Sequence, residues 1–79
     1  MKESKFEQIW SKKAESRGWY SIKLGITNRN GIPDRMFLKN GNVFFVEFKS
    51  KKGILRPLQR YVIDKIRKLG FHVLIIREK

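Results

Sequence analysis

The residues best suited to chemistry in this chain are two carboxylates and a lysine, Asp34, Glu47 and Lys49. They flank Asn40-Gly41, the dipeptide most typical of a two-residue β-hairpin loop, between two runs rich in β-forming residues. With that loop, Asp34 faces Glu47 across the hairpin, and Lys49 lies on the same face as Glu47. Directly opposed Cβ atoms in such a pair lie about 5 Å apart. The sequence therefore predicts a patch of two acids and one ammonium group.

Two directly opposed carboxylates repel each other, and a divalent cation between them would remove that repulsion. Ligands that are all oxygen atoms favour Mg²⁺ or Mn²⁺. The alternative is that both acids lie solvated at the rim of the sheet, with Lys49 screening their charge. Acids are few in this chain, 7 against 19 lysines and arginines, and these basic surroundings favour the metal site.

Length and composition predict one small α/β domain, residues 1–79. The hydrophobic share of 41% is that of a folded protein, and the absence of cysteine excludes disulfides and thiolate metal sites. No signal peptide is visible. The apolar run at residues 73–76 is far shorter than the roughly 20 residues of a membrane-spanning helix. We therefore expect a cytoplasmic protein without a membrane partner.

The net charge of +12 indicates a polyanionic partner, and nucleic acid is the first candidate. An anionic membrane surface is less suitable, because no segment combines a basic face with a broad apolar face that the core does not need. Four basic residues close to the acidic patch, Lys51, Lys52, Arg56 and Arg60, are predicted to contact backbone phosphates. The alternative for these residues is ordinary solvated surface.

Hydrophobic periodicity predicts six elements in the order αβββαβ, which form a small mixed sheet flanked by helices. The predicted elements are a helix at about 3–17, a strand at 19–24, the hairpin within 33–49, a helix at 57–69 and a strand at 71–77. The connection through the second helix predicts that the last strand runs parallel to the strand of Glu47. Its unbroken apolar run predicts burial on both faces.

Several of these residues together resemble a known nuclease family. The segments are Gly31-Ile32-Pro33-Asp34, Glu47-Phe48-Lys49-Ser50, Gln59 at the start of the second helix, and Gly70 at its end. They resemble the PD-(D/E)xK nuclease superfamily, and within it the VRR-NUC (virus-type replication and repair nuclease) domain. The resemblance extends over residues 7–76.

This resemblance implies a restriction-endonuclease-like core and a metal-dependent, structure-selective DNA endonuclease of phage or repair type. It implies that Glu7, Asp34, Glu47 and the Phe48 carbonyl hold Mg²⁺ or Mn²⁺. Lys49 would orient the attacking water or help to deprotonate it, and Gln59 would position the water or the scissile phosphate. An ordinary helix-edge role for Glu7 and a plain surface role for Gln59 remain open.

The resemblance implies branched or otherwise structured DNA as the substrate. No recognition helix or zinc finger for reading bases is visible in the sequence, so recognition by backbone and shape is expected rather than sequence specificity. A restriction-type role is the enzymatic alternative, and a basic nucleic-acid-binding module without catalysis is the other. A homodimer is the expected assembly, since so short a chain gains stability by burying apolar surface against a copy of itself. Trp10, Trp19 and Tyr61 are the candidate contact residues.

Overall fold

The computed structural model describes residues 4–79, so Glu3, at the predicted start of the first helix, lies outside the described part. The six elements are α1 (Lys5–Ser16), β1 (Tyr20–Lys23), β2 (Arg35–Lys39), β3 (Asn42–Lys49), α2 (Pro57–Lys68) and β4 (His72–Arg77). They form a small mixed α/β domain with one four-stranded sheet and two helices. The predicted order αβββαβ is therefore confirmed.

The hairpin of β2 and β3 has the predicted turn and register. Asn40 and Gly41 have positive φ angles of 49° and 78°, as a type I′ turn requires at both central positions. Counting outward from this turn, the ladder ends with Arg35 opposite Val46. A shift by one residue would move every side chain to the other face of the sheet, so this turn determines which residues of β3 face each helix.

Strand β3 lies inside the sheet, in the order β1-β2-β3-β4, and pairs antiparallel with β2 and parallel with β4. The predicted parallel pairing is confirmed. The predicted burial of β4 on both faces is wrong, because Val73 is buried but Leu74 remains 41% exposed. Leu74 lies on the face that α1 covers, but β4 is an edge strand and the Trp10 side chain of α1 packs over β2 and β3.

Aromatic side chains form the core between α1 and the sheet. The ring of Trp10 meets those of Phe37 and Phe48 edge to face at 5.5 and 5.6 Å, and Trp19 contacts Phe44 at 4.8 Å. Each such pair contributes about 0.5–1.5 kcal/mol beyond the burial of its area. Trp10 and Trp19 therefore belong to the core of the single chain.

A side-chain hydrogen bond marks the start of α1, and a glycine with positive φ marks the end of α2. The Ser4 hydroxyl accepts a hydrogen bond from the Glu7 N–H at 3.1 Å, and this cap places Glu7 in the first turn of α1. Helix α2 ends before Gly70, whose φ of +97° favours glycine. Each helix has 12 residues, and within residues 4–79 no helix is long and apolar enough to cross a membrane.

Candidate active site

Asp34 is held against β3 at the point where β2 begins. The preceding residue, Pro33, is buried and has no N–H to donate to a ladder. The Asp34 carbonyl accepts from the Leu24 N–H at 2.8 Å, and its carboxylate Oδ2 accepts from the Phe48 N–H at 2.8 Å. The carboxylate of Asp34 thus takes the place of a backbone acceptor for β3. It does so at Phe48, the residue that follows Glu47.

The backbone of Phe48 presents its carbonyl on the same side as Asp34. The N–H and C=O groups of one strand residue point to the same neighbour, and the Phe48 N–H points to Asp34. The next carbonyl, that of Lys49, points the other way and accepts from the Glu78 N–H at 2.9 Å. The Phe48 carbonyl is therefore directed to the region beyond the end of β2, where the resemblance implies a metal ligand.

Glu47, Lys49 and Gln59 form one hydrogen-bonded group on the face of the sheet that α2 covers. Glu47 is only 3% exposed, and its Oε2 accepts from Gln59 Nε2 at 3.0 Å. Lys49 Nζ lies 3.3 Å from the same oxygen and donates to Gln59 Oε1 at 2.9 Å. The structure therefore brings together three of the residues that the sequence selected.

The orientation of Gln59 comes from the start of α2. Gln59 Oε1 accepts from the Arg56 N–H at 2.9 Å, which is one half of a capping box. This bond offsets the lack of a Ser, Thr or Asp at the N-cap. Since the oxygen faces Arg56 and Lys49, the amide nitrogen faces Glu47, so Gln59 is not a plain surface residue.

Both carboxylates of the patch are destabilised in their charged form. Burial raises the pKa of Asp34, and the N–H of Phe48 offsets part of this effect. Burial also raises the pKa of Glu47, the negative charge of Asp34 raises it further, and Lys49 opposes both effects. Two such carboxylates each favour a bound proton or a nearby cation.

The donor set fits a hard divalent cation. It consists of the carboxylates of Asp34 and Glu47 and the carbonyl of Phe48, all oxygen atoms of the kind that Mg²⁺ and Mn²⁺ prefer. Among residues 4–79 no three His, Cys, Asp or Glu side chains are grouped as a metal site. The third protein ligand would therefore be the backbone carbonyl, and water would complete the shell.

Glu7 lies close to this patch but is paired with cations. It is 6% exposed, and its Oε2 accepts from Lys23 Nζ and Arg35 Nε, both at 2.9 Å. The negative charge of Glu7 still acts on the patch, where it contributes to raising the pKa of both Asp34 and Glu47. Direct coordination of a metal by Glu7 remains a prediction, whereas its role as a buried counter-ion is visible.

A cleft of about 440 Å³ opens beside Asp34, between the loop of residues 25–34 and the start of α2. We call it the candidate cleft; its lining includes Gln59, Arg56 and Arg29 besides Asp34. Arg29 was not selected from the sequence, although its loop leads directly into Pro33-Asp34. The other predicted phosphate contacts, Lys51, Lys52 and Arg60, are exposed, as such a role requires.

A smaller cavity of about 230 Å³ lies on the other side of Asp34, lined in part by Lys49, Glu7 and Glu78. Glu78 is not among the site residues that were predicted from the sequence. It reaches this place because Lys49 lies opposite Arg77 in the parallel pair. No turn signal in the sequence determines that register.

The loop that forms one wall of the cleft is fixed by Gly31. Its φ is +81°, and a Cβ built there would lie 2.9 Å from Leu58 Cγ and 3.0 Å from the Leu58 carbonyl oxygen. We expect Gly31→Ala to lower the free energy of unfolding by about 1–3 kcal/mol, because of strain at positive φ and this contact. Urea denaturation measures the change. Gly25→Ala is the matched control, since a Cβ at Gly25 meets nothing within 4 Å. Equal effects of both substitutions would contradict the close approach of Gly31 to α2.

No known protein-family model and no curated protein matches this chain. Its fold is a small mixed α/β domain, and its candidate site holds the buried Glu47 and the half-buried Asp34 beside Lys49 and Gln59.

Proposed function

We propose that this protein is a metal-dependent DNA endonuclease with a restriction-endonuclease-like core, similar to the VRR-NUC nucleases of the PD-(D/E)xK superfamily. One observation carries the proposal. Glu47 Oε2 accepts a hydrogen bond from Gln59 Nε2 and lies 3.3 Å from Lys49 Nζ, in a patch where burial raises the pKa of both Asp34 and Glu47. In a chain with a net charge of +12, this group lies beside a cleft lined by arginines.

Asp34, Glu47 and the Phe48 carbonyl would hold the cation. A bound Mg²⁺ or Mn²⁺ would make a water more acidic and offset the charge that develops on the phosphate. The ammonium group of Lys49 would orient the attacking water and, through its positive charge, favour loss of the water's proton to solvent. It would also stabilise negative charge in the transition state. The amide of Gln59 positions the water or the scissile phosphate by hydrogen bonds. Glu7 completes the coordination or holds Arg35 and Lys23 in place.

Branched or otherwise structured DNA is the proposed substrate, in the cytoplasm of a bacterium or of a phage-infected host cell. The basic residues of the cleft contact the DNA backbone, which carries no sequence information. Recognition by backbone and shape therefore fits this chain better than reading of bases.

Cleavage of labelled branched and linear DNA by purified protein, with Mg²⁺, Mn²⁺ or EDTA, tests the proposal. Metal-dependent cleavage of branched DNA is expected. Binding that does not need metal, without cleavage of any substrate, would instead favour a non-catalytic nucleic-acid-binding module. Cleavage of linear duplex at defined sequences would favour a restriction-type role.

The phosphate contacts can be tested through salt. Replacement of both Lys51 and Lys52 by alanine is expected to weaken binding to all DNA sequences alike. Each phosphate contact contributes about 0.9 to the slope of log affinity against log salt, so the slope should fall by about two. Fluorescence anisotropy at several salt concentrations measures it. Alanine at both Lys12 and Lys13, which are exposed on α1, is the control of equal charge. An unchanged slope in the Lys51 and Lys52 variant would contradict these contacts.

A homodimer remains part of the proposal, and of its three candidate contact residues the fold leaves one exposed on a helix. Trp10 and Trp19 pack in the core, whereas Tyr61 is exposed on α2. Sedimentation velocity at micromolar concentration is expected to show a dimer, and Tyr61→Ala to shift it towards monomer. An active protein that sediments only as a monomer would exclude this assembly.

A further inference from the structure

Two isoleucines that are neighbours in sequence of residues lining the cleft are the most exposed large hydrophobic residues in the described part of the chain. Ile26 is fully exposed and Ile54 is 78% exposed. Ile26 lies in the loop of residues 25–34 that forms one wall of the cleft, and its neighbours Gly25 and Thr27 both line it. Ile54 lies two residues before Arg56, in the segment that leads into the other wall.

Hydrogen bonds hold the backbone close to each isoleucine. The Thr27 hydroxyl accepts from the Arg29 N–H at 3.2 Å and donates to the Arg29 carbonyl at 2.8 Å, which closes a short turn next to Ile26. Before Ile54, the Arg77 guanidinium donates to the carbonyls of Ser50 and Gly53. The two apolar side chains therefore extend from supported positions.

The surroundings of the two side chains indicate what they meet. A single exposed isoleucine is ordinary and needs no partner. Here Ile26 stands in the chain between two residues that line the cleft, and Ile54 stands two residues before a third, Arg56. Arg29 and Arg56 of the cleft attract phosphates. Proteins that bend DNA frequently insert apolar side chains, isoleucine among them, between neighbouring bases and partly unstack them.

We propose that Ile26 and Ile54 act as an apolar wedge that unstacks the base step next to the phosphate in the cleft. This inference rests on the proposed function and specifies its substrate. The preferred DNA has an unpaired or easily unstacked step at the cut, as at a junction or a flap. The wedge selects such DNA by the cost of opening the step, which differs between stacked and already open bases. Structure selectivity then needs no residue that reads a base.

A fluorescent base tests the wedge without cleavage. In EDTA, wild type is added to a four-way DNA junction that carries 2-aminopurine at the branch point, and its fluorescence is expected to rise as the base unstacks. Ile26→Gln and Ile54→Gln, alone and combined, are expected to reduce this rise, and the combined variant to abolish it. Fluorescence anisotropy shows that the variants still bind, because the basic residues are intact. Leu69→Gln is the matched control, since Leu69 is 68% exposed and follows the end of α2, whereas the cleft is lined by residues at the start of that helix.

Cleavage with Mg²⁺ provides a second measurement. The combined variant is expected to cut a junction with fully paired arms at least about tenfold more slowly than wild type, because unstacking must then occur unaided. A junction with two mismatched pairs at the branch point is expected to restore the rate. Such a rescue by substrate would not follow from general damage to the fold.

Two results would overturn the wedge. One is wild type that binds the junction without any rise in fluorescence. The other is a rise that persists in the combined Ile26 and Ile54 variant. Failure of the nuclease proposal gives a different result, namely no cleavage by wild type with any metal, whatever the fluorescence in EDTA shows.

Discussion

Asp34→Asn, Glu47→Gln and Lys49→Ala are each expected to reduce DNA cleavage by about 10²-fold or more, while DNA binding persists. The first two substitutions remove ligands of the cation, and the third removes the ammonium group that acts on the water. Binding persists because the exposed basic residues provide most of the attraction to DNA. Single-turnover cleavage and anisotropy measure the two properties separately. Asp64→Asn, at an exposed position of α2, is the control and should cleave at the wild-type rate.

The same variants separate coordination from water activation. Mg²⁺ or Mn²⁺ is expected to raise the melting temperature of wild type and Lys49→Ala, and to raise that of the two acid variants less. Without metal, Asp34→Asn and Glu47→Gln should be no less stable than wild type, because each relieves the repulsion between the Asp34 and Glu47 carboxylates. If both acid variants still cleave and respond to metal as wild type does, the assignment of these residues is wrong.

The raised pKa values of Asp34 and Glu47 determine how these differences depend on pH. A carboxyl group with a raised pKa binds its proton more tightly in the folded than in the unfolded state, so its contribution to stability falls as pH rises. The free-energy cost of the charged carboxylate in the folded protein is complete at pH values above its folded-state pKa. It vanishes at pH values below the ordinary pKa of the unfolded chain. The stability advantage of Glu47→Gln in EDTA should therefore shrink as pH is lowered from neutral towards the ordinary glutamate pKa.

Arg35→Met is expected to be the most destabilising substitution near the site. Among residues 4–79, it leaves the buried Glu7 with Lys23 as its ion-pair partner. Removal of one member of a buried ion pair costs about 3–5 kcal/mol. A domain of this size has a total stability of about 4–12 kcal/mol, so the variant should lie near its unfolding threshold. Urea denaturation of wild type and variant measures the loss.

A second substitution separates loss of packing from loss of charge pairing. Glu7→Gln in the Arg35→Met background should recover part of the stability, because it removes the buried charge that was left with one partner fewer. Lys23→Met should cost less than Arg35→Met, since the Lys23 side chain is 29% exposed and the Arg35 side chain 10%. A loss below about 1 kcal/mol for Arg35→Met would contradict the structural importance of this pair.

The candidate site could be selected from the sequence where its geometry is local. Asn40-Gly41 allows one preferred turn, and that turn sets the whole register of β2 and β3, with Asp34 one position beyond its end. The order of elements could also be predicted, because apolar periodicity and the glycines at helix ends act over a few residues. For this reason the amino-acid sequence alone is enough to group Asp34, Glu47 and Lys49 in one patch.

Contacts between distant segments were decided only by tertiary packing. The sequence left the role of Glu7 open, and only the packing of α1 on the sheet brings it to Arg35, 28 residues away. Gln59 gained its orientation from its hydrogen bonds to Arg56, Lys49 and Glu47. The register of β4, which places Glu78 near Lys49, follows a long crossover with no turn to set it. The exposure of Leu74 has the same origin, because an apolar run shows that a strand can be buried, and only the assembled sheet determines which strand lies at its edge.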